Sequence, residues 1–133
     1  MERLFVDTSA WFAYANSEDP EHDRVRLVLL DYEGRLVTSN FVFDETVTLC
    51  RRKLGYGAAC LVGEALRDAE VADVVRVTVE DEAEAWRLFL DRDDKHYSFT
   101  DCTSFVLLRR LRVQHVLALD DDFRRVGFTT LPD

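Results

Sequence analysis

Apolar positions along this chain follow two different periods. Short runs rich in β-branched and large apolar residues, "RLFV" (3–6), "RLVTS" (35–39), "VVRVTV" (74–79), "HVLAL" (115–119) and "FTTL" (128–131), read as strands, with "VLAL" as apolar as a buried strand and "FTTL" a last edge strand. Between them run longer stretches whose apolar residues recur three and four apart, the spacing of one helix face. These predict helices over "SAWFAYAN", "PEHDRVRLVLLDY", about Phe41 to Leu54, about Ala58 to Ala69, "EDEAEAWRLFLDR", "TDCTSFVLLRRLR" and a short "DDFRRV". Pro20 suits the first turn of the second helix, Gly34 a stop after it, and "GYG" (55–57) a break between the two central ones.

Strands alternating with helices predict an α/β fold with a mostly parallel sheet and helices on both of its faces. In such sheets ligands bind beyond the carboxyl ends of the strands, where the strand order reverses. Asp7 directly follows the first strand and Asp120 the fourth, while the second leads into the helix that carries Glu45. Acidic residues are therefore expected at one rim.

Composition narrows the class without naming it. The 133 residues are 47% hydrophobic and 32% charged, the proportions of a globular domain, and no linker or repeat divides residues 1–133 into more than one. No apolar run approaches the roughly 20 residues of a membrane span, and the N-terminus lacks the apolar core of a secretory signal. Cys50, Cys60 and Cys102 are odd in number, which suits free thiols in a reducing cytoplasm. Neither they nor His22, His96 and His115 share a metal-ligand spacing, which argues against zinc. The net charge of −9 argues against a broad basic nucleic-acid face, yet leaves room for acids neutralised by divalent cations. Basic residues cluster at Arg51-Arg52-Lys53, Arg109-Arg110 with Arg112, and Arg124-Arg125, which are positions suited to solvated helix ends.

Glu45 is the most informative acid. It shares the face Val42, Thr46 and Leu49, so it points to the interior or its rim, where an unpaired carboxylate is costly. An arginine or a metal ion would answer that cost. Asp101 shares a face with Ser104, Phe105 and Leu108, but "SFTD" (98–101) is also a capping-box pattern. Asp7 and Asp120 can likewise cap the helices that follow them. Capping does not account for Glu45, nor for the convergence of all four on one rim. Four carboxylates without His or Cys make a hard-oxygen site for Mg²⁺ or Mn²⁺, suited to hydrolysing phosphodiesters with a metal-activated water. Hydroxyls in "DTS" (Thr8, Ser9) and in "SFTDCTS" (Ser98, Thr100, Thr103, Ser104) are placed to orient those carboxylates or the water.

Four stretches, "FVDTSAWFAY", "LVTSNFVFDETVTLCRRKLG", "YSFTDCTSFVLLRR" and "ALDDDFRRVGF", together resemble the PIN-domain ribonucleases, and more closely the VapC-type toxins of toxin–antitoxin pairs. The likeness covers essentially the whole chain in family order. It implies a three-layer α/β/α sandwich around a parallel sheet of about five strands, with an acidic pocket holding Mg²⁺ or Mn²⁺. The family acids fall on Asp7, Glu45, Asp101 and Asp120, with Phe123 as the aromatic three residues after the last. Asp7 and Asp101 are implied as direct metal ligands, Glu45 and Asp120 as ligands directly or through water. The implied activity is endonucleolytic cleavage of single-stranded or looped RNA. The implied partners are a second copy of the chain and an antitoxin that blocks the pocket. Where the family commonly has His or a basic residue, this chain has Asp122, a candidate extra ligand.

Two other readings bear comparison. A dehalogenase-type phosphohydrolase needs a second Asp two residues after the first, where Ser9 stands, and a response regulator needs an acidic pair and a late Lys that are not evident. A PIN-like interaction module without catalysis has no reason to keep all four acids.

Overall fold

A computed structural model describes residues 2–93 and 96–132. Among them the elements run β1 (Arg3–Val6), α1 (Thr8–Ala15), α2 (His22–Asp31), β2 (Arg35–Ser39), α3 (Asn40–Leu54), α4 (Tyr56–Leu66), β3 (Asp73–Val75), α5 (Val79–Asp91), α6 (Phe99–Leu111), β4 (His115–Leu117), α7 (Asp122–Arg125) and β5 (Thr129–Leu131). The five strands form one sheet in the order β3-β2-β1-β4-β5, and every pairing is parallel. The sheet is thus the middle layer of an α/β/α sandwich, with the expected mostly parallel arrangement realised throughout. β1 lies at its centre, where Leu4, Phe5 and Val6 are wholly buried, as a central parallel strand covered on both faces requires. From β1 the chain winds outward to β2 and β3, then crosses back to lay β4 on the other side. The strand order therefore reverses between β1 and β4, and a crevice opens at their carboxyl ends.

Several boundaries differ from the sequence pattern, each for a local reason. Pro20 stands outside α2, because Asp19 accepts from the amide of Glu21 at 2.8 Å and holds a turn ahead of the helix. α2 ends at Asp31, before Gly34. That glycine is needed because a Cβ there would lie 2.2 Å from the carbonyl oxygen of Glu2. The "GYG" break narrows to Gly55 alone, whose φ of 106° ends α3 and starts α4 at once. α4 stops at Leu66 rather than Ala69. "VVRVTV" pairs only through Val75. Beyond it, Val77 donates to Asn40 Oδ1 at 2.7 Å, and Thr78 becomes the N-cap of α5.

Two features fix the half of the fold that carries the later site residues. Asp81, almost fully buried, accepts from Nε and Nη2 of Arg110 at 2.9–3.1 Å, which ties α5 to α6. Phe123, on the single turn of α7, has no exposed surface and packs among Phe105 (5.1 Å between ring centroids), Phe5 (6.3 Å) and Phe128 (6.4 Å). A four-residue helix has little stability of its own, so this aromatic anchor holds it in place. Phe123→Ala should accordingly cost about 3–5 kcal/mol in urea denaturation, and Phe123→Leu clearly less. A loss below about 1 kcal/mol for the alanine variant would remove Phe123 from the anchoring role.

Candidate active site

The four acids meet at the crevice where the strand order reverses. Asp7, Glu45, Asp101 and Asp120 all line one open cleft of about 560 Å³, together with Thr8, Ser9, Asp44, Thr48, Leu49, Arg52, Ser98 and Thr100. β1 delivers Asp7 and the loop after β4 delivers Asp120. β2 passes through Ser39, whose hydroxyl accepts from the amide of Val42 at 3.0 Å, into α3 and Glu45. Asp101 sits in the first turn of α6.

Each acid also has a structural role of its own. Asp7 is the N-cap of α1, and its Oδ2 accepts from the backbone amide of Ser9 at 3.4 Å and from its hydroxyl at 3.0 Å. Asp101 and Ser98 form a reciprocal capping box with two bonds of 3.0 Å, so the helix-start reading and the cleft reading describe one side chain. Asp120 Oδ1 accepts from the amide of Asp122 at 3.1 Å. Glu45 is half-buried at the rim rather than in the interior. The buried line of α3 is Val42, Thr46 and Cys50, and Glu45 stands at its edge.

The capped oxygens leave the other carboxylate oxygen of Asp7 and of Asp101 without a hydrogen bond from the described residues. Burial, then the charges of Asp101 and Asp120, push the Asp7 carboxyl up to about 7, against the downward pull of Ser9. Asp101 rises to about 6, chiefly through burial, with Asp120, Asp122 and Glu45 adding repulsion against the hydrogen bond from Ser98. Asp120 is the most open of the four. Its carboxyl is still raised by partial loss of water and by Asp122 and Asp121. Asp81 is the contrast. Burial pushes it up, yet Arg110 and the hydrogen bonds from Thr78 outweigh that and hold it below the usual carboxylate range. The cleft acids have no such ion pair among the described residues.

Ser9 links the two sides of the crevice. Its hydroxyl donates to Asp7 and accepts from the amide of Leu119 at 3.1 Å, so the end of β1 is joined to the loop that presents Asp120. Thr8 is buried with its hydroxyl unpaired among the described residues, and Thr100 lines the cleft. Ser104 lies deeper, fully buried and outside the cleft wall, and Thr103 turns its hydroxyl to the carbonyl of Thr100 at 2.7 Å. Asp121 faces Arg124 at 3.0 Å. Asp122 stands 4.0 Å from Arg125, close enough to the cleft to act on Asp101 by charge but not part of its lining. Asp44, Thr48 and Arg52 were not singled out from the sequence as residues of this site. Asp44, Thr48 and Arg52 recur four apart, and Thr48 lies three after Glu45, which puts them on one strip of α3 and is the signal that could have found them.

The oxygen-only set suits a hard divalent cation. Among the described residues no three acidic, His or Cys side chains already stand close enough to enclose an ion. That is compatible with Mg²⁺, which keeps several waters and takes one or two carboxylates, and Asp7 and Asp101 each have an oxygen that their caps leave free. Because folding raises Asp7 and Asp101 above the carboxylate value of 3.8, the native state binds protons that the unfolded chain has released. Metal-free protein should therefore lose stability as pH rises from about 4 to about 7. Asp7→Asn should flatten that slope and be more stable than the wild type at about pH 8 in EDTA. Denaturant titrations at several pH values check this, and an unchanged slope in the variant would contradict it.

Comparison with known proteins agrees with this geometry. The PIN-domain family model matches residues 4–129. The chain is 38% identical over 125 residues, 94% of its length and 95% of the relative's, to the 23S rRNA-specific endonuclease VapC20 of Mycobacterium tuberculosis. The crystal structure of that sarcin-ricin loop cleaving toxin superposes with a TM-score of 0.90 at 36% identity, covering 95% of this chain and 96% of the other. DNA-bound VapBC from Salmonella typhimurium, at 15% identity, covers 98% of this chain and 97% of its own matched chain with a TM-score of 0.66, and shares the fold. A family match over nearly the whole length, joined to a relative of this identity and coverage, establishes that the chain belongs to the PIN-domain family, alongside the VapC-type ribonucleases.

Proposed function

We propose that the chain, acting as one domain, is a divalent-metal-dependent endoribonuclease and the toxin of a VapBC-type pair. The observation that carries this reading is the set of carboxylates held unpaired at the reversal point of a parallel sheet, with Asp7 pushed up to about 7. Mg²⁺ or Mn²⁺ bound there supplies positive charge for the scissile phosphate and a water of lowered pKa.

The protein's own groups do the positioning. Asp7 and Asp101 would hold the cation, each having a carboxylate oxygen that its cap leaves free. Glu45 and Asp120 share the cleft wall and would act as further ligands, directly or through water. Ser9 keeps Asp7 and the Asp120 loop at a fixed spacing, and Ser98 fixes the orientation of the Asp101 carboxylate. Thr8 and Thr100 are further hydroxyls at the wall, and Asp122 adds negative charge behind it.

RNA as the substrate class is supported by the ribosomal-RNA endonuclease at 38% identity, and an antitoxin partner by the VapBC complex that shares the fold. The surface supports a partner too. An apolar trough of about 520 Å³ between α1, α2 and α4 is lined by Trp11, Tyr14, Leu30, Leu61, Val62 and Leu66, with Leu30 and Leu61 mostly exposed. A homodimer belongs to the same reading. Val79, Trp86 and Leu90 are exposed on one face of α5 and offer apolar area for it. With cellular RNA as substrate the compartment is the cytoplasm, and among the described residues no helix is long and apolar enough to cross a membrane.

Purified protein incubated with an RNA hairpin should cleave in Mg²⁺ or Mn²⁺ and not in EDTA. Asp7→Asn and Asp101→Asn should each lose at least about 100-fold in rate, more than removal of an orienting residue costs. Cleavage that continued in EDTA, or at wild-type rate in both variants, would exclude the mechanism.

A further inference from the structure

The strip of α3 that faces the cleft runs Asp44, Glu45, Thr48, Leu49, Arg52, so the wall changes from acidic to basic toward the helix C-terminus. Seven residues separate Glu45 from Arg52, which sets them about 10 Å apart along the helix axis. The lining contains five carboxylates, from Asp7, Asp44, Glu45, Asp101 and Asp120, against the one guanidinium of Arg52. Arg52 is exposed and forms no ion pair or hydrogen bond with a described residue. Its neighbours in the basic run are placed otherwise. Arg51 stacks over the ring of Tyr56 at 5.0 Å, and Lys53 is not part of the wall.

A favourable helix dipole would account equally for Arg51, Arg52 and Lys53. It does not account for the one that turns into an acidic cleft and stays unpaired there. A polyanion entering that cleft meets strong repulsion everywhere except at the cation and at Arg52. A planar guanidinium with two parallel N–H donors also matches a phosphate.

We propose that Arg52 is a substrate-positioning residue. It holds a phosphate of the RNA that flanks the scissile one, and so sets which bond lies over Asp7 and Asp101. This inference rests on the ribonuclease reading above. The phosphate it holds does not react, so its contact is made equally in ground and transition states. Its loss should appear in KM rather than in kcat.

The test compares wild type, Arg52→Ala, Arg52→Lys and Lys53→Ala, with folding checked by thermal melting. Binding of a fluorescein-labelled RNA hairpin is measured by anisotropy in EDTA across a salt series, and cleavage kinetics are measured in Mg²⁺. Arg52→Ala should raise Kd and KM about tenfold with kcat within about twofold, and lower the slope of log affinity against log salt by about 0.7. Arg52→Lys should keep the salt slope but spread cleavage over neighbouring bonds, because an ammonium lacks the planar fork. Lys53→Ala should change affinity no more than about twofold. Equal effects of Arg52→Ala and Lys53→Ala would overturn the proposal, as would a wild-type slope in Arg52→Ala. So would an altered Mg²⁺ requirement with RNA affinity intact, which would make Arg52 a counter-ion for the acids. Failure of the wild type to cleave would instead overturn the ribonuclease reading, while the anisotropy series would still decide whether Arg52 holds RNA.

Discussion

Mutual repulsion among carboxylates that the fold does not let apart is the interaction on which the rest of this structure turns. Asp7 ends the central strand, is only 4% exposed, and shares its surroundings with Asp101 and Asp120. Relaxation would separate these groups or neutralise them, and much of the nearby structure opposes the first of these. Ser9 joins Asp7 to the loop before Asp120, the capping box pins Asp101, and Phe123 fastens α7 just beyond Asp120. Partial neutralisation is what remains, and it shows as the raised carboxyls of the cleft. Asp81, as deeply buried as Asp7, is held in the opposite direction by Arg110. The protein therefore can pair a buried acid where structure alone requires it. Asp7, by contrast, has no ion pair among the described residues, which is the arrangement that suits a bound cation.

The acids hold together two roles that are easily treated as rivals. Asp7 and Asp101 each use one oxygen to satisfy open amides at a helix start, and the capping leaves the other oxygen free on a residue that lines the cleft. Helix initiation is thus also the device that orients the site, at no further cost in ordering side chains. The same economy applies to the sheet. A parallel arrangement brings its strand ends and the following helix starts to one rim, so groups far apart in the chain become neighbours there.

Much of this is legible in the sequence alone. Strand density, helical spacing and the order of elements yield the α/β architecture, and Asp7, Glu45, Asp101 and Asp120 follow from acids standing where strands end or where an apolar face should be. The misreadings have particular causes. "VVRVTV" has a strand's composition, but Asn40 takes the amide of Val77 and Thr78 is committed to a cap. Gly34 resembles a helix stop, yet its necessity comes from the backbone of Glu2, a neighbour only once β1 and β2 pair. Arg52 was hidden in a basic run whose members look alike in one dimension.

What the sequence by itself determined is everything governed by local chemistry: where helices start and stop to within a turn, and which acids stand at strand ends. These depend on spacing and capping within a few residues, and such interactions persist wherever the segment lies. The tertiary structure alone decided which of those acids face one another, how far burial raises them, and which cation of three turns inward. Those properties depend on separation through space and on the exclusion of water. Neither exists until β4 is laid beside β1 and the crevice between them is closed on its inner side.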